Sequence, residues 1–294
     1  MKKNYLLAVA VLSLFACKKE EIVNEAPVVN SITASKVKLA EGQYITLKSD
    51  ANDKDTDLTK LTYTWSGTDG FSSTEIEPTW QPKKSGAIAI TLTVSDGNKS
   101  VSKSVGFTVE KPNFRLGLWS DTEAETKLSE TKAGHTPLTA SSTLLQYKGD
   151  DSKSTDAYFF TAGLLTSAVT VYNISYTSNY SQYVSSYNLY LQKNTGKFGT
   201  PKASRIFYKT DEIKNHLTAH PELIGDAIVA GNVYLAANWE TNNNAITLVM
   251  IKSETNSSVL FGTAYSPLNK TTALVSAVTT TKEVLTSFAG FHPE

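Results

Sequence analysis

Between Val28 and Val109 one pattern recurs: short runs in which apolar and polar residues alternate, separated by turn signals. A period of two places every second side chain on the same face of an extended strand, so these runs can bury an apolar face only as a sheet. The runs are Val28–Ile32, Tyr44–Ser49 after Glu41-Gly42, Leu61–Trp65, Ile88–Val94 after Ser85-Gly86, and Val101–Val109. Asp96-Gly97 joins the last two, and glycine there accepts the positive φ of a tight hairpin. Several short strands without a helical stretch predict an all-β sandwich over residues 27–111.

Three segments in order resemble a PKD or cadherin-like domain of the immunoglobulin-like class. They are Ala26-Pro27-Val28, then Asp53-Lys54-Asp55-Thr56-Asp57-Leu58 with Leu61-Thr62-Tyr63-Thr64-Trp65, then Leu92-Thr93-Val94-Ser95-Asp96-Gly97. The resemblance implies a spacer or adhesion module, with Trp65 packed between the sheets. Asp53, Asp55 and Asp57 alternate, and Asp96 joins them if both turns share one end of the sandwich. Such carboxylates could hold a weak extracellular calcium ion. The spacing is not that of an EF-hand, because Leu58 stands where glycine is needed, and a solvated acidic turn is the plainer reading.

Pro112-Asn113 marks a boundary, and residues 113–294 predict an α+β domain with an antiparallel sheet. Ser120 reads as a helix cap with Glu123 at the capping-box position, and Ala124 and Leu128 as the inward face. Strands are expected at 143–147, 157–160 and 168–172, the last two joined across Gly163. Tyr183, Tyr187, Tyr190 and Leu191 recur at helical spacing, predicting a helix from about Tyr180 to Lys193 with its stop at Gly196. A short helix over 211–224 should end before Gly225. Residues 232–239 and 245–251 form a hairpin around Asn242-Asn243-Asn244, and 258–265 a further strand. The order helix, strands, helix, strands is that of an internal duplication. Leu118-Trp119-Ser120-Asp121-Thr122 and Lys197-Phe198-Gly199-Thr200-Pro201 resemble turns of small secreted bacterial binding domains, those of outer-membrane assembly lipoproteins and β-lactamase inhibitor proteins. That resemblance implies binding or assembly and carries no catalytic residue.

The N-terminus reads as an address. Lys2-Lys3 precedes an apolar run from Tyr5 to Ala16, too short to span a bilayer, which takes about 20 residues. Leu14-Phe15-Ala16-Cys17 resembles the bacterial lipobox, which implies a signal peptide at 1–16 and acylation of Cys17. Cys17 is the only cysteine, so no intrachain disulfide framework is available. Lys18-Lys19-Glu20-Glu21 resembles the signal that exports Bacteroidetes lipoproteins to the outer face of the outer membrane. Residues 17–26 then form a lipidated tether, and the protein is expected at the outer membrane, on the cell surface.

The chain has 28 basic and 28 acidic residues. With Lys2 and Lys3 removed, 26 basic residues face 28 acidic ones, a net charge of −2. That excludes a general nucleic-acid binder. His216 and His220 have the i, i+4 spacing of zinc ligands, but Leu217 stands where a metalloprotease needs glutamate, and they read as exposed. No nucleotide-binding loop and no nucleophile elbow occurs. The tyrosines at 172, 176, 180, 183, 187 and 190, with Trp119 and Trp239, read either as core or as platforms for a sugar. The expectation is a non-enzymatic, lipid-anchored envelope protein with no cofactor beyond calcium at the acidic turn. A β-sandwich spacer would present a C-terminal module to an envelope protein or glycan. The alternatives are a glycan-binding lipoprotein of an uptake system, or a hydrolase.

Overall fold

The computed structural model describes residues 23–241, 243–254 and 257–268. Cys17 and the signal segment lie outside them, as does Asn242 of the expected hairpin loop. Among the described residues no helix is long and apolar enough to cross a membrane.

The first module is a two-sheet sandwich. One sheet has the order β1 (Val28–Ala34), β3 (Ile45–Asn52), β6 (Thr79–Trp80); the other runs β2 (Leu39–Ala40), β8 (Ser100–Glu110), β7 (Gly86–Ser95), β4 (Thr62–Gly67), β5 (Ser72–Ser73). The alternation is realised along β7, where Ile88, Ile90, Leu92 and Val94 are buried and their neighbours are not. They pack against Trp65 and Trp80, both fully buried. Trp65 donates its indole N–H to the Glu75 carbonyl and Trp80 to Asp69, so neither polar edge is stranded. Gly97 takes φ 95° in the β7–β8 hairpin, as its turn requires. β2, β5 and β6, of two residues each, are too short to show a period in the sequence.

The second module is one eight-stranded antiparallel sheet with its four helices packed on one face. In sequence it runs α1 (Glu123–Lys132), β9 (Thr139–Ala140), β10 (Leu144–Lys148), β11 (Ser154–Thr161), β12 (Leu164–Tyr172), α2 (Ser181–Phe198), β13 (Ala203–Tyr208), α3 (Asp211–Ala219), α4 (Ile224–Ala230), β14 (Val233–Glu240), β15 (Asn244–Lys252) and β16 (Val259–Pro267). The strand order is β13-β14-β15-β16-β12-β11-β10-β9, symmetric about the antiparallel β16–β12 pair. Each half is a helix followed by four meandering strands, the pattern a duplication requires. The second half adds α3 and α4 between its first two strands.

Four details differ from the sequence expectations. The cap of α1 is Thr122, whose box partner is Glu125; Ser120 instead takes φ 77° in the turn before it. The buried face of α1 is Thr126, Ser129 and Glu130, while Leu128 is exposed, because the floor beneath the helix is an ion network rather than an apolar one. Helix α2 runs through Gly196 and stops at Gly199, with φ 85°. The expected 211–224 helix is broken at Pro221, and Gly225 lies inside α4 instead of after a helix. A Cβ at Gly225 would run into the Tyr180 carbonyl, so only glycine lets α4 approach the start of α2 this closely.

Candidate functional site

A cleft of about 1140 Å³ opens where the two modules meet. Helix α2 forms one wall, with Tyr190, Lys193, Asn194, Lys197 and Phe198 turned toward it at helical spacing. The loop between β10 and β11 contributes Asp150 and Asp151. The floor comes from the helix-covered face of β11, β12, β15 and β16, including Asp156, Thr170, Tyr172, Asn244 and Tyr265. Ser85, Glu110 and Lys111 close it from the first module.

The floor is polar and its hydrogen bonds are made. β11–β12 register places Asp156 opposite Thr170, whose hydroxyl donates to the Asp156 carboxylate at 2.6 Å. The Tyr172 hydroxyl meets that of Thr263 at 2.9 Å, and Asn194 donates to the same threonine at 3.0 Å. Tyr172 and Tyr190 stack with centroids 3.7 Å apart, and Tyr190 donates to Asp151 at 3.0 Å. Burial raises the Tyr190 phenol to about 12, helped by that carboxylate. At one end the Asn113 side-chain amide donates to Asn244 Oδ1, which also accepts the Trp119 indole N–H, and the Asn244 amide donates to the Asn113 backbone carbonyl.

Beside the floor, Arg115 gathers the acids. It sits at φ 47°, an uncommon conformation for a non-glycine residue. Its guanidinium grips Glu130 with two bonds of 3.0 Å and Asp156 with one of 2.6 Å. Tyr158 also donates to Glu130, and the His135 ring lies 2.5 Å from it. Burial drives the Asp156 carboxyl up, with Thr170 and Arg115 pulling the other way. Burial also opposes ionisation of Glu130, but bonds from Arg115, Tyr158 and His135 outweigh it and hold its pKa low. The charges of this network satisfy one another.

A second network ties the modules together. Lys36, in the first, makes an ion pair of 2.6 Å with Asp121, in the second; their side chains are 9% and 3% exposed. Gln43, fully buried, donates to Asp121 at 2.7 Å and to the Leu116 carbonyl at 2.6 Å. It accepts from Lys36 at 3.1 Å. Leu118 N–H completes the Asp121 shell.

The tyrosines read as sugar platforms lie mostly in the core: Tyr172, Tyr183, Tyr187 and Tyr190 are buried, Tyr176 and Tyr180 partly so. Trp239 is buried and pins the Gly199 carbonyl. His216 and His220 lie on the exposed side of α3 and its end, ring centroids 5.0 Å apart. Of the acidic turn, Asp53 accepts the N–H groups of Asp55 and Thr56, and Asp96 those of Asn98 and Lys99 together with the Asn24 amide. Asp53 and Asp96 lie close enough to repel, and one Asp53 oxygen is buried without a partner. Asp55 accepts the Glu25 N–H. Asp57 is committed elsewhere, capping the 58–60 turn through Thr59. Among the described residues, no three His, Cys, Asp or Glu side chains gather as a metal set.

Of the cleft's groups, Tyr172 and Tyr190 are named by the sequence as core or sugar platform, while its charged groups are not. Lys193 and Lys197 come to share one helix face because α2 runs on past the expected stop at Gly196 to Phe198. The Asp156–Thr170 floor depends on strand register and leaves no local signal.

Residues 24–109 match the bacterial Ig domain family, and the first module is an Ig-like domain. No curated protein matches the sequence. Solved structures similar to parts of the chain include the PKD1 domain of Vibrio anguillarum Epp, at 25% identity and a TM-score of 0.26, covering 30% of this chain and 99% of that one. Another is the PKD1 domain of the Vibrio cholerae metalloprotease PrtV, at 28% identity and a TM-score of 0.25, covering 30% and 100%. A third comes from a study of promiscuous carbohydrate-binding modules of the β-sandwich superfamily, at 14% identity and a TM-score of 0.28, covering 84% and 93%.

Proposed function

We propose that the protein is a lipid-anchored component of a bacterial cell envelope that binds a polar ligand in the cleft between α2 and the sheet, without transforming it. The cleft carries this reading. It lies at a module junction, where ligand sites concentrate, and combines aromatic rings with convergent amides, hydroxyls and carboxylates. Asp151, Asp156 and Glu240 are engaged in ion pairs or hydrogen bonds, an arrangement suited to holding a shape rather than to moving protons. Anchoring rests on the lipobox-like end of the apolar run at Cys17, and placement on the outer face of the outer membrane on Lys18-Lys19-Glu20-Glu21. Among ligands, the floor of amides and hydroxyls favours a glycan over an apolar molecule.

Two measurements test this. Acyl labelling with detergent partitioning should mark the wild type and not Cys17→Ser; equal labelling of both removes the anchor. Asn194→Trp fills the cleft from α2. It should abolish capture of envelope glycans by the full chain, and undiminished capture removes the cleft.

A further inference from the structure

Resting on that reading of the cleft, we propose that its ligand is an anionic oligosaccharide, carrying carboxylate or sulfate groups, held by Lys193 and Lys197. The argument is one of uncommitted charge. Counted by type, acids and bases at the cleft nearly balance, but their partners differ. Asp156 is paired to Arg115 at 2.6 Å, and Asp150 approaches the same guanidinium at 3.7 Å. Asp151 is hydrogen-bonded by Tyr190 and by the Lys153 N–H. Glu240 is paired with Lys202. Among the described residues, Lys111, Lys193 and Lys197 have no carboxylate within 4.0 Å, and Glu110 is the one acid at the cleft with no side-chain partner. The two lysines of α2 are therefore a local pair of cations with no carboxylate in contact, set in a cleft lined by five acids and four bases where Asp151 acts on Lys193 from further away.

The two helix lysines are also placed. Lys193 Nζ lies 4.5 Å from the Tyr190 ring centroid, and Lys197 Nζ 5.1 Å from that of Phe198. These contacts hold two long side chains beside the cleft at little further entropic cost on binding. Their spacing puts the ammonium groups on successive turns of one helix face, side by side along the cleft. Asn194 and Asn244 also line the cleft, their amide N–H groups donating to Thr263 and to the Asn113 carbonyl. Two ammonium groups on one helix face, bordering a polar cleft, match a sugar chain that carries acidic substituents. Tyr190 is buried, stacked on Tyr172 and approached by Lys193, so its ring is not a free platform for a neutral sugar.

The test is calorimetric titration of the full chain with a uronate oligosaccharide, a sulfated one and a neutral one of equal length. At least one acidic ligand should bind more tightly than the neutral one and weaken as salt rises from about 0.05 to 0.5 M. Lys193→Gln with Lys197→Gln should weaken it by about tenfold, with helix content unchanged by circular dichroism. Which acid binds identifies the substituent. Equal, salt-insensitive binding of the neutral oligosaccharide, abolished by Asn194→Trp, overturns the anionic assignment and leaves the cleft in place. Acidic binding that neither the lysine pair nor Asn194→Trp affects overturns both. No binding at millimolar ligand overturns the anionic assignment.

Discussion

Lys36→Met tests whether the modules act as one body. The substitution keeps the stem that packs at the junction and removes the ammonium. Asp121, 3% exposed, is left without its cation. Breaking a buried pair from one side costs roughly 3–5 kcal/mol, because the remaining charge stays desolvated. Here the Asp121 carboxylate keeps the Gln43 amide at 2.7 Å and the Leu118 N–H at 2.9 Å, so the lower end applies, about 3 kcal/mol. In a domain of this size each kcal/mol moves Tm by about 2–4 °C, which predicts a fall of roughly 6–12 °C. Calorimetry is the assay. The variant should also separate into two transitions, since the pair joins residues 85 positions apart in different modules. Adding Asp121→Asn should recover part of the loss, because no buried charge remains to be paired. If Lys36→Met lies within about 0.5 kcal/mol of wild type, the pair behaves as a surface contact and the modules are tethered rather than locked.

Acid should unfold the second module through Glu130. Its pKa is held low in the fold, so its contribution is present above the ordinary glutamate range and lost as pH falls through the folded value. Asp156, raised by burial, works in the opposite sense and blunts the effect. Glu130→Gln should therefore lower Tm at neutral pH and flatten its decline between about pH 6 and pH 3; an unchanged slope in thermal melts would assign the acid sensitivity elsewhere. Calcium at about 1 mM should raise the Tm of the full chain through Asp53 and Asp96, and Asp53→Asn with Asp96→Asn should remove the shift. The same shift in wild type and variant, or none in either, leaves the acidic turn merely solvated.

The first module was legible because its information is local. Period-two runs name the buried face of each strand, and a slip of one residue would expose all of Ile88, Ile90, Leu92 and Val94 at once. The second module was legible in its elements and less so in their faces. Helix α1 carries little apolar signal because it packs Glu130 and Ser129 inward, and the reason lies fifteen residues away at Arg115. Strand β13 was missed: Ala203–Tyr208 sits at the sheet edge with three of its six residues exposed, so alternation is weak. Gly225 looked like a stop because glycine commonly ends helices. What requires glycine there is the Tyr180 carbonyl, a contact no local pattern records.

The cleft follows from a broken symmetry. Both halves of the second module lay four strands side by side, but their helices differ. In the second half, α2 has eighteen residues and packs with α4 over β14 and β15. In the first half, α1 has ten residues and packs chiefly over β10. The first half is therefore roofed less completely, and the inner ends of β11 and β12 carry Asp156, Thr170 and Tyr172 instead of a continuous apolar face. Glu110 and Lys111 then meet that opening at the end of β8 because Lys36, Gln43 and Asp121 fix the Ig-like module beside it. A sandwich serving only to hold the second module away from the membrane would need no such buried polar lock. Its position there makes it one wall of the cleft.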